Sequence, residues 1–443
     1  MTSPLSLIWT ITAATTLLQT GNGLLQALMP LRMEAAGLSI SSIGIVAAAY
    51  GLGFSSGCFL APAFIRHVGY IRAFSSLAAI AAVVILAMTQ ADTTLAWALL
   101  RGLTGITFAC VFTATDSWTS ARATSSHRGR ILAFYMICTK IALMLSPLGI
   151  ALGDIRSDGL FMAASALVSL SLLPIAATTT QEPSAPRSVR IRVRSLFVAA
   201  PSAVVGAFIV GLVNGPVIAI TPVFGVSIGL NQGEAAALLF ALQAGSLLLQ
   251  WPLGWLSDRY DRRYVIAGLA AGTSVVSIVI LLASMSAAGP VILWAFAAWG
   301  GFALCIYSVC VAHACDIVEP EHIVSTIGTL LFSWAVGVTV GPLFGAMAMT
   351  SLGPGGLFIY SAAVCSILAI FVVVRIRQQK RERPRGGFVD VSPTSSPTAV
   401  LAPREDLAAA EAEERAADED APEQGPADQR SRSDAATVVD TSS

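Results

Sequence analysis

The sequence predicts an all-α integral membrane protein, with twelve transmembrane helices arranged as two pseudo-symmetric six-helix bundles. Three observations carry that expectation. Hydrophobic residues make up 55% of the 443 and charged residues 12%, with a mean hydropathy of +0.74; this is more apolar surface than a water-soluble core can hide. Twelve stretches approach the about 20 mostly apolar residues that a helix needs to cross the hydrocarbon. Finally, Asn22-Gly23, Pro30, Gly37 and Leu38 return 192 positions later as Asn214-Gly215, Pro222, Gly229 and Leu230, the mark of a duplicated helical unit.

In chain order the spans fall at roughly 7–31, 41–65, 73–90, 94–117, 131–153, 159–178, 196–222, 234–256, 264–285, 290–312, 325–348 and 356–374. The first is too long and too polar for the apolar region of a cleaved signal peptide, and no small-residue cleavage site follows it, so it is kept as helix 1. The formal net charge of zero conceals an asymmetry. Residues 388–443 hold thirteen Asp/Glu against Arg404, Arg415, Arg430 and Arg432, which leaves the membrane body with 22 basic and 13 acidic residues. Arg66, Arg72, Arg122, Arg128, Arg130, Arg259, Arg262, Arg263 and the run from Arg375 to Arg385 all fall in loops on one side, against only Arg32 and Arg156 on the other. By the positive-inside rule both termini are expected in the cytoplasm. The seven cysteines lie in or beside apolar spans with no CxxC pair, so they read as helix-packing residues and no metal site is expected.

The organisation follows from the repeat: an N-terminal bundle at 1–178, a basic linker at 179–195, a C-terminal bundle at 196–375, and a tail at 376–443 that is first basic, then acidic and disordered. The repeat holds elsewhere too, since Pro147-Leu148 and His127 return as Pro342-Leu343 and His322, each 195 positions on.

The loop after span 8 reads Gly254-Trp255-Leu256-Ser257-Asp258-Arg259-Tyr260-Asp261-Arg262-Arg263. It resembles the G-x-L-x-D-R-x-G-R-R loop of the major facilitator superfamily, with Asp261 in place of the second glycine. The equivalent first-half loop, Pro62 to Arg72, keeps Gly69 but has Arg66 where that family expects Asp. The run Asp116-Ser117-Trp118, then Arg128-Gly129-Arg130, resembles the bacterial YcaD-type carriers in particular, whose helix 4 usually ends in Glu-Ser-Trp. The resemblance spans nearly all of residues 5–375 and implies a carrier fold while saying little of the solute. It marks Arg66, Gly69, Arg72, Asp116, Arg130, Gly254, Asp258, Arg259, Arg262 and Arg263 as gating residues. A small residue lets two helices approach, a carboxylate caps a helix N-terminus, and arginines pair with acids across the gate. Asp116 is expected to pair with Arg66, Arg72 or Arg130, and Asp258 to cap the helix that starts near Gly129; a solvated acid is the alternative for each.

Within the spans polar residues are few. Thr12, Thr15, Gln19, Asn22 and Gln26 share one face of helix 1, and Asn214 repeats the position of Asn22. In the superfamily helices 1, 4, 7 and 10 line a central cavity, which implies a solute-binding role for Gln19, Asn22 and Asn214; interhelical bonding is the alternative. Arg101 and Lys140 stand inside the membrane, where a cation costs roughly 2.5–3.5 kcal/mol on translocon scales unless it meets a partner or water. Asp116 lies about 22 Å along the helix from Arg101, and no carboxylate is expected at their depth. Two cations without an acid favour an anionic solute. The alternative has Arg101 bonding backbone carbonyls and amides, and Lys140 neutral. Tyr307, Trp299 and Phe108 are candidates for cavity wall or packing, and His313 for proton shuttling or packing. Ser146-Pro147-Leu148-Gly149 and Gly341-Pro342-Leu343-Phe344-Gly345 resemble an element of exporters and lean modestly to efflux.

A secondary carrier moving a small organic solute by alternating access is the leading expectation. No P-loop occurs, so the energy source is an ion gradient, protons first, and no cofactor is expected. The four histidines are scattered singly, which argues against an enzyme. A drug-type exporter of neutral or cationic compounds, or a non-transporting receptor on the same fold, stay open. The expected setting is a monomer in lipid, in a bacterial inner membrane, with no nucleic-acid partner.

Overall fold

A computed structural model of the chain describes residues 4–122, 128–177, 191–286, 289–319 and 322–378. These belong to one compact unit, residues 1–400. The described residues are helical with short connections. The first six long helices are α1 (Pro4–Ala35), α2 (Ile40–Val68), α3 (Tyr70–Ala87), α4 (Thr94–Arg122), α5 (Arg128–Leu145) and α6 (Gly159–Ala176). The second six are α7 (Pro201–Ser227), α8 (Gln232–Arg259), α9 (Arg262–Met285), α10 (Pro290–Ile317), α11 (Ile323–Leu352) and α12 (Gly356–Gln378). All but α1 satisfy both the length and the hydropathy of a membrane span. At 32 residues α1 is long enough, about 48 Å at 1.5 Å per residue. Several helices exceed the predicted spans, because apolarity marks only the part inside the hydrocarbon while the hydrogen-bonded helix runs on to its caps.

The repeat has a local cause at each of its positions. Gly37 and Gly229 both have positive φ, 78° and 91°, and each ends its helix the same way. Leu38 N–H donates to Met33 O at 3.0 Å and Leu230 N–H to Gly225 O at 3.1 Å, while the glycine N–H groups reach Glu34 O and Val226 O. This is a Schellman stop, which favours glycine for its backbone freedom. Asn-Gly recurs because the glycine admits a neighbouring helix: a Cβ on Gly23 would lie 3.1 Å from Leu143 O of α5, and one on Gly215 3.1 Å from Val338 O of α11. Glycines bring α2 and α4 together in the same way, where a Cβ on Gly57 would stand 2.6 Å from Ile106 O and one on Gly105 2.8 Å from Phe54 N. Close approach of backbones replaces the hydrophobic driving force that lipid removes.

Alternate loops of a twelve-helix chain fall at the same end, so Arg66, Arg72, Arg259, Arg262, Arg263, Arg375 and Arg377 mark a basic end. At the opposite end Arg32 of α1 pairs with Asp158 at 3.1 Å and donates to Ile155 O and Arg156 O, tying α1 to the loop before α6. The first and second sets of helices meet closely toward this end. A Cβ on Gly44 of α2 would lie 2.8 Å from Pro342 O of α11, one on Gly51 2.9 Å from Val338 O, and one on Gly233 of α8 3.2 Å from the Ala151 Cβ. Ala151 belongs to a 3-10 turn, Ser146–Leu152, that continues α5. Pro147 starts it, because proline brings no N–H and disfavours an α conformation in the residue before it.

Candidate functional site

Between the two sets of helices lies a cavity of about 250 Å³, at the small end of ligand pockets, which span roughly 300–1,000 Å³. Its length runs from Met29, Pro30 and Ile43 toward the far end to Asp116 and Tyr135 toward the basic end. Gln19, Gln26, Arg101, Lys140 and Asn214 are all in its wall. Asn22 is not; it is buried behind Gln19, to whose Oε1 its Nδ2 donates at 3.3 Å. Tyr307 also stands outside the wall. It is buried with its ring 6.2 Å from that of Trp334, which does line the cavity. Trp299 and Phe108 are fully buried; Trp299 Nε1 donates to Ser277 and Ser361, so its work is packing among α9, α10 and α12.

Arg101 is 5% exposed and its guanidinium carbon sits 4.1 Å over the ring of Tyr50, a cation–π contact from α4 to α2. Among the described residues its side chain makes no hydrogen bond, and Nη1 is a buried donor without a partner. Backbone carbonyls therefore do not hold this cation, contrary to one reading of the sequence. Lys140 Nζ donates to Gln250 Oε1 at 2.7 Å, joining α5 to α8 across the cavity.

The expectation of cations without an acid needs correction. Asp116 is 7% exposed, lines the same cavity, and accepts a hydrogen bond from the Tyr135 hydroxyl at 2.7 Å. The cavity extends along the helix axis far enough to include a residue four turns from Arg101, so depth in the sequence was not a guide to shared surroundings. Arg66 and Arg72 are exposed and form no ion pair among the described residues, so neither is the partner expected for Asp116. The side chain of Arg130, the third expected partner, lies outside the described residues, as does the detail at Gly129 that would show a cap by Asp258.

At the basic end of the second set of helices the residues expected to gate lie close together. Asp261 caps α9, accepting from Arg263 N–H at 3.0 Å, and its carboxylate pairs with the Arg263 guanidinium at 2.8 Å. Arg262 pairs with Asp316 of α10 at 2.8 Å and more loosely with Asp258 at 3.6 Å. Gly254 is buried, Asp258 is 41% exposed, and Arg259 is exposed and stacked on Trp255 at 4.1 Å. His313 is buried in α10. The residue that departed from the family pattern, Asp261, is thus the N-cap. A carboxylate directly before Arg-Arg at a helix start was the signal.

Other wall residues went unnoticed in the sequence. Gln243, Ser246 and Gln250 of α8 all line the cavity; their spacing of three and four puts them on one face, a polar stripe in an apolar helix. Tyr50, Phe54 and Trp334 carried no such signal, because aromatics in apolar helices are as common in packing as in walls.

Comparison with known proteins decides the family. The family model of the Major Facilitator Superfamily matches residues 11–303 and 203–407. The chain belongs to the major facilitator superfamily. It is 27% identical over 356 residues to the uncharacterized MFS-type transporter YcaD of Salmonella typhi, covering 80% of this chain and 92% of that one. Solved structures agree on the fold. The nucleoside transporter NupG superposes with a TM-score of 0.69 at 13% identity, over 86% of this chain and all of that one. A bacterial homologue of the human lysosomal transporter Spinster, in an inward-facing unoccupied conformation, gives 0.64 at 16% identity, over 92% and 99%. This superfamily member is a multi-pass membrane protein and a secondary transporter rather than an enzyme.

Proposed function

We propose that this carrier moves a small organic anion by alternating access, driven by the proton gradient, and exports it through the bacterial inner membrane as a monomer with both termini in the cytoplasm. The single observation behind the anionic solute is Arg101, a guanidinium in the cavity wall that rests on a tyrosine face and holds no acceptor. A cation in the membrane without a counter-ion or acceptor is costly, and a solute carboxylate offsets that cost during each transport cycle. Lys140, met by a neutral amide oxygen, supplies a second cationic station about midway along α5, and Gln19 and Asn214 supply amides between them. The gating role falls to Gly69, Arg66, Arg72, Asp116 and Arg130 in the first half, and to Gly254, Asp258, Arg259, Arg262 and Arg263 in the second. Proton drive rests on elimination, since the sequence contains no P-loop, and export rests on the Gly-Pro elements of α5 and α11.

A second reading has one observation in its favour. Asp116 in the wall gives a cationic drug its counter-ion. Flux into proteoliposomes under an imposed pH gradient separates the two. Organic anions moving faster with the gradient, and losing that flux in Arg101→Ala, support the proposal. Transport of neutral or cationic compounds that survives Arg101→Ala, with no anion flux, would replace it by the drug-exporter reading.

A further inference from the structure

Three polar atoms in the cavity-lining residues are buried without a hydrogen-bond partner among the described residues: Arg101 Nη1, Trp334 Nε1 and Asn214 Oδ1. They come from α4, α11 and α7, and the backbone beside them meets at one residue of α11. Gly51 and Gly215 press on the same carbonyl, Val338 O, at 2.9 and 3.1 Å from where their Cβ atoms would be. Gly51 follows Tyr50, on whose ring Arg101 rests, and Gly215 follows Asn214. Trp334 lies one helical turn from Val338 on the same face of α11. A chain of rings joins the ends, Tyr50 to Phe54 at 5.9 Å and Phe54 to Trp334 at 6.5 Å.

Native structures seldom leave three buried polar groups unpaired in one place, and such groups cluster where a ligand or a second conformation completes them. Their chemistry specifies what completes them. Arg101 and Trp334 offer N–H donors, the first charged, and a carboxylate supplies two acceptor oxygens. Asn214 Oδ1 is an acceptor and calls for a donor. We propose that Arg101, Trp334 and Asn214 form one subsite for a carboxylate that carries a hydrogen-bond donor, a hydroxyl or an amine, on the adjoining carbon, with its apolar body against Phe54 and Phe112. This rests on the anionic reading above and narrows it to 2-hydroxy and 2-amino acids. A site built to meet a donor discriminates against the analogue that lacks it, because its own acceptor is then left unpaired.

Matched ligand pairs test this on the intact protein in detergent, by equilibrium binding: 3-phenyllactate against 3-phenylpropionate, and lactate against propionate. The hydroxy acid of at least one pair is expected to bind roughly three- to tenfold more tightly, the range one neutral hydrogen bond supplies. Asn214→Leu is expected to remove that advantage, bringing the two members of the pair to equal affinity. Arg101→Gln is expected to weaken both members more than about tenfold, and Trp334→Phe, which keeps the ring, to weaken both a few-fold. Equal affinities within every pair on the wild type would overturn the subsite, as would an advantage that survives Asn214→Leu. Equal affinities that both depend on Arg101 would leave the anionic reading standing without the subsite, whereas no binding by any acid would remove both. The wild-type comparison needs no variant to fold.

Discussion

The basic ends of the two halves descend from one repeated loop and are held in different ways. In the second half Asp261 begins α9, Arg263 folds back on it at 2.8 Å, and Arg262 reaches Asp316 at 2.8 Å; Asp261 and both arginines are buried. In the first half the matching positions, 192 residues earlier, are Gly69, Tyr70 and Ile71. Gly69 turns the chain at φ 86° with no side-chain cap, and Tyr70 is buried with its ring 6.1 Å from that of Trp118. One joint is ionic, the other glycine and aromatic. Asp116, near the end of α4 as Asp316 is near the end of α10, accepts a hydrogen bond from Tyr135 in the cavity wall. Tyr70 stands where the second half has Arg262, so the first half has no arginine at that position to meet an acid of α4.

That comparison can be broken where it is strongest. Arg262→Met takes away the guanidinium 2.8 Å from the Asp316 carboxylate, and is expected to destabilise the folded protein by about 3–5 kcal/mol, read as a large fall in unfolding temperature in detergent. Pairing it with Asp316→Leu should recover most of the loss, since an apolar pair of similar size replaces a buried ion pair at little cost. No recovery would mean that Arg262 acts through something other than Asp316. In the first half the corresponding weak point is Tyr135→Phe, which removes a hydrogen bond to a carboxylate and should cost about 1.5–3 kcal/mol in the same measurement.

Gly69→Ala sharpens the backbone half of the contrast. A left-handed conformation strains alanine by on the order of 1–3 kcal/mol, so a fall in unfolding temperature no larger than that of Tyr135→Phe is expected, whereas Asp261→Ala loses a cap and an ion-pair partner without any backbone strain. Smallest of all is Asp258→Ala. Its contact with Arg262 is long and its side chain 41% exposed, so the loss should stay below about 1 kcal/mol; a larger loss would show that Asp258 caps a helix across the gate. For the same reason the charge exchange Asp116→Arg with Arg66→Asp is not expected to restore activity, because Arg66 is exposed and unpaired among the described residues.

Much of the fold was legible because its causes are local. Apolar length marks a span, and the Gly37 and Gly229 stops recur in sequence because one backbone geometry demands them twice. The cavity was legible where a polar or charged side chain interrupts an apolar helix, as Gln19, Arg101, Lys140 and Asn214 do, and would have been at Gln243 and Gln250 by the same rule. It was not legible at Trp334 or Tyr50, whose roles depend on which helix lies opposite. Nor was it legible for Tyr307 and Asn22, which have the right residue type one layer too deep. Arg66 and Arg72 were not the partners of Asp116, because sequence proximity says nothing about which way a helix end faces, and the pair of Arg262 with Asp316 was not legible because the two lie on different helices, 54 residues apart.

Uptake of a radiolabelled organic acid into proteoliposomes under a pH gradient, with Arg101→Ala beside Arg262→Met/Asp316→Leu, tests the central claim most directly. The account predicts flux that disappears in Arg101→Ala, whose unfolding temperature stays near that of the wild type, and that retains its pH dependence in the repaired latch variant. Undiminished anion flux in a folded Arg101→Ala protein would contradict it, and Arg101 would then belong to the packing of α2 against α4.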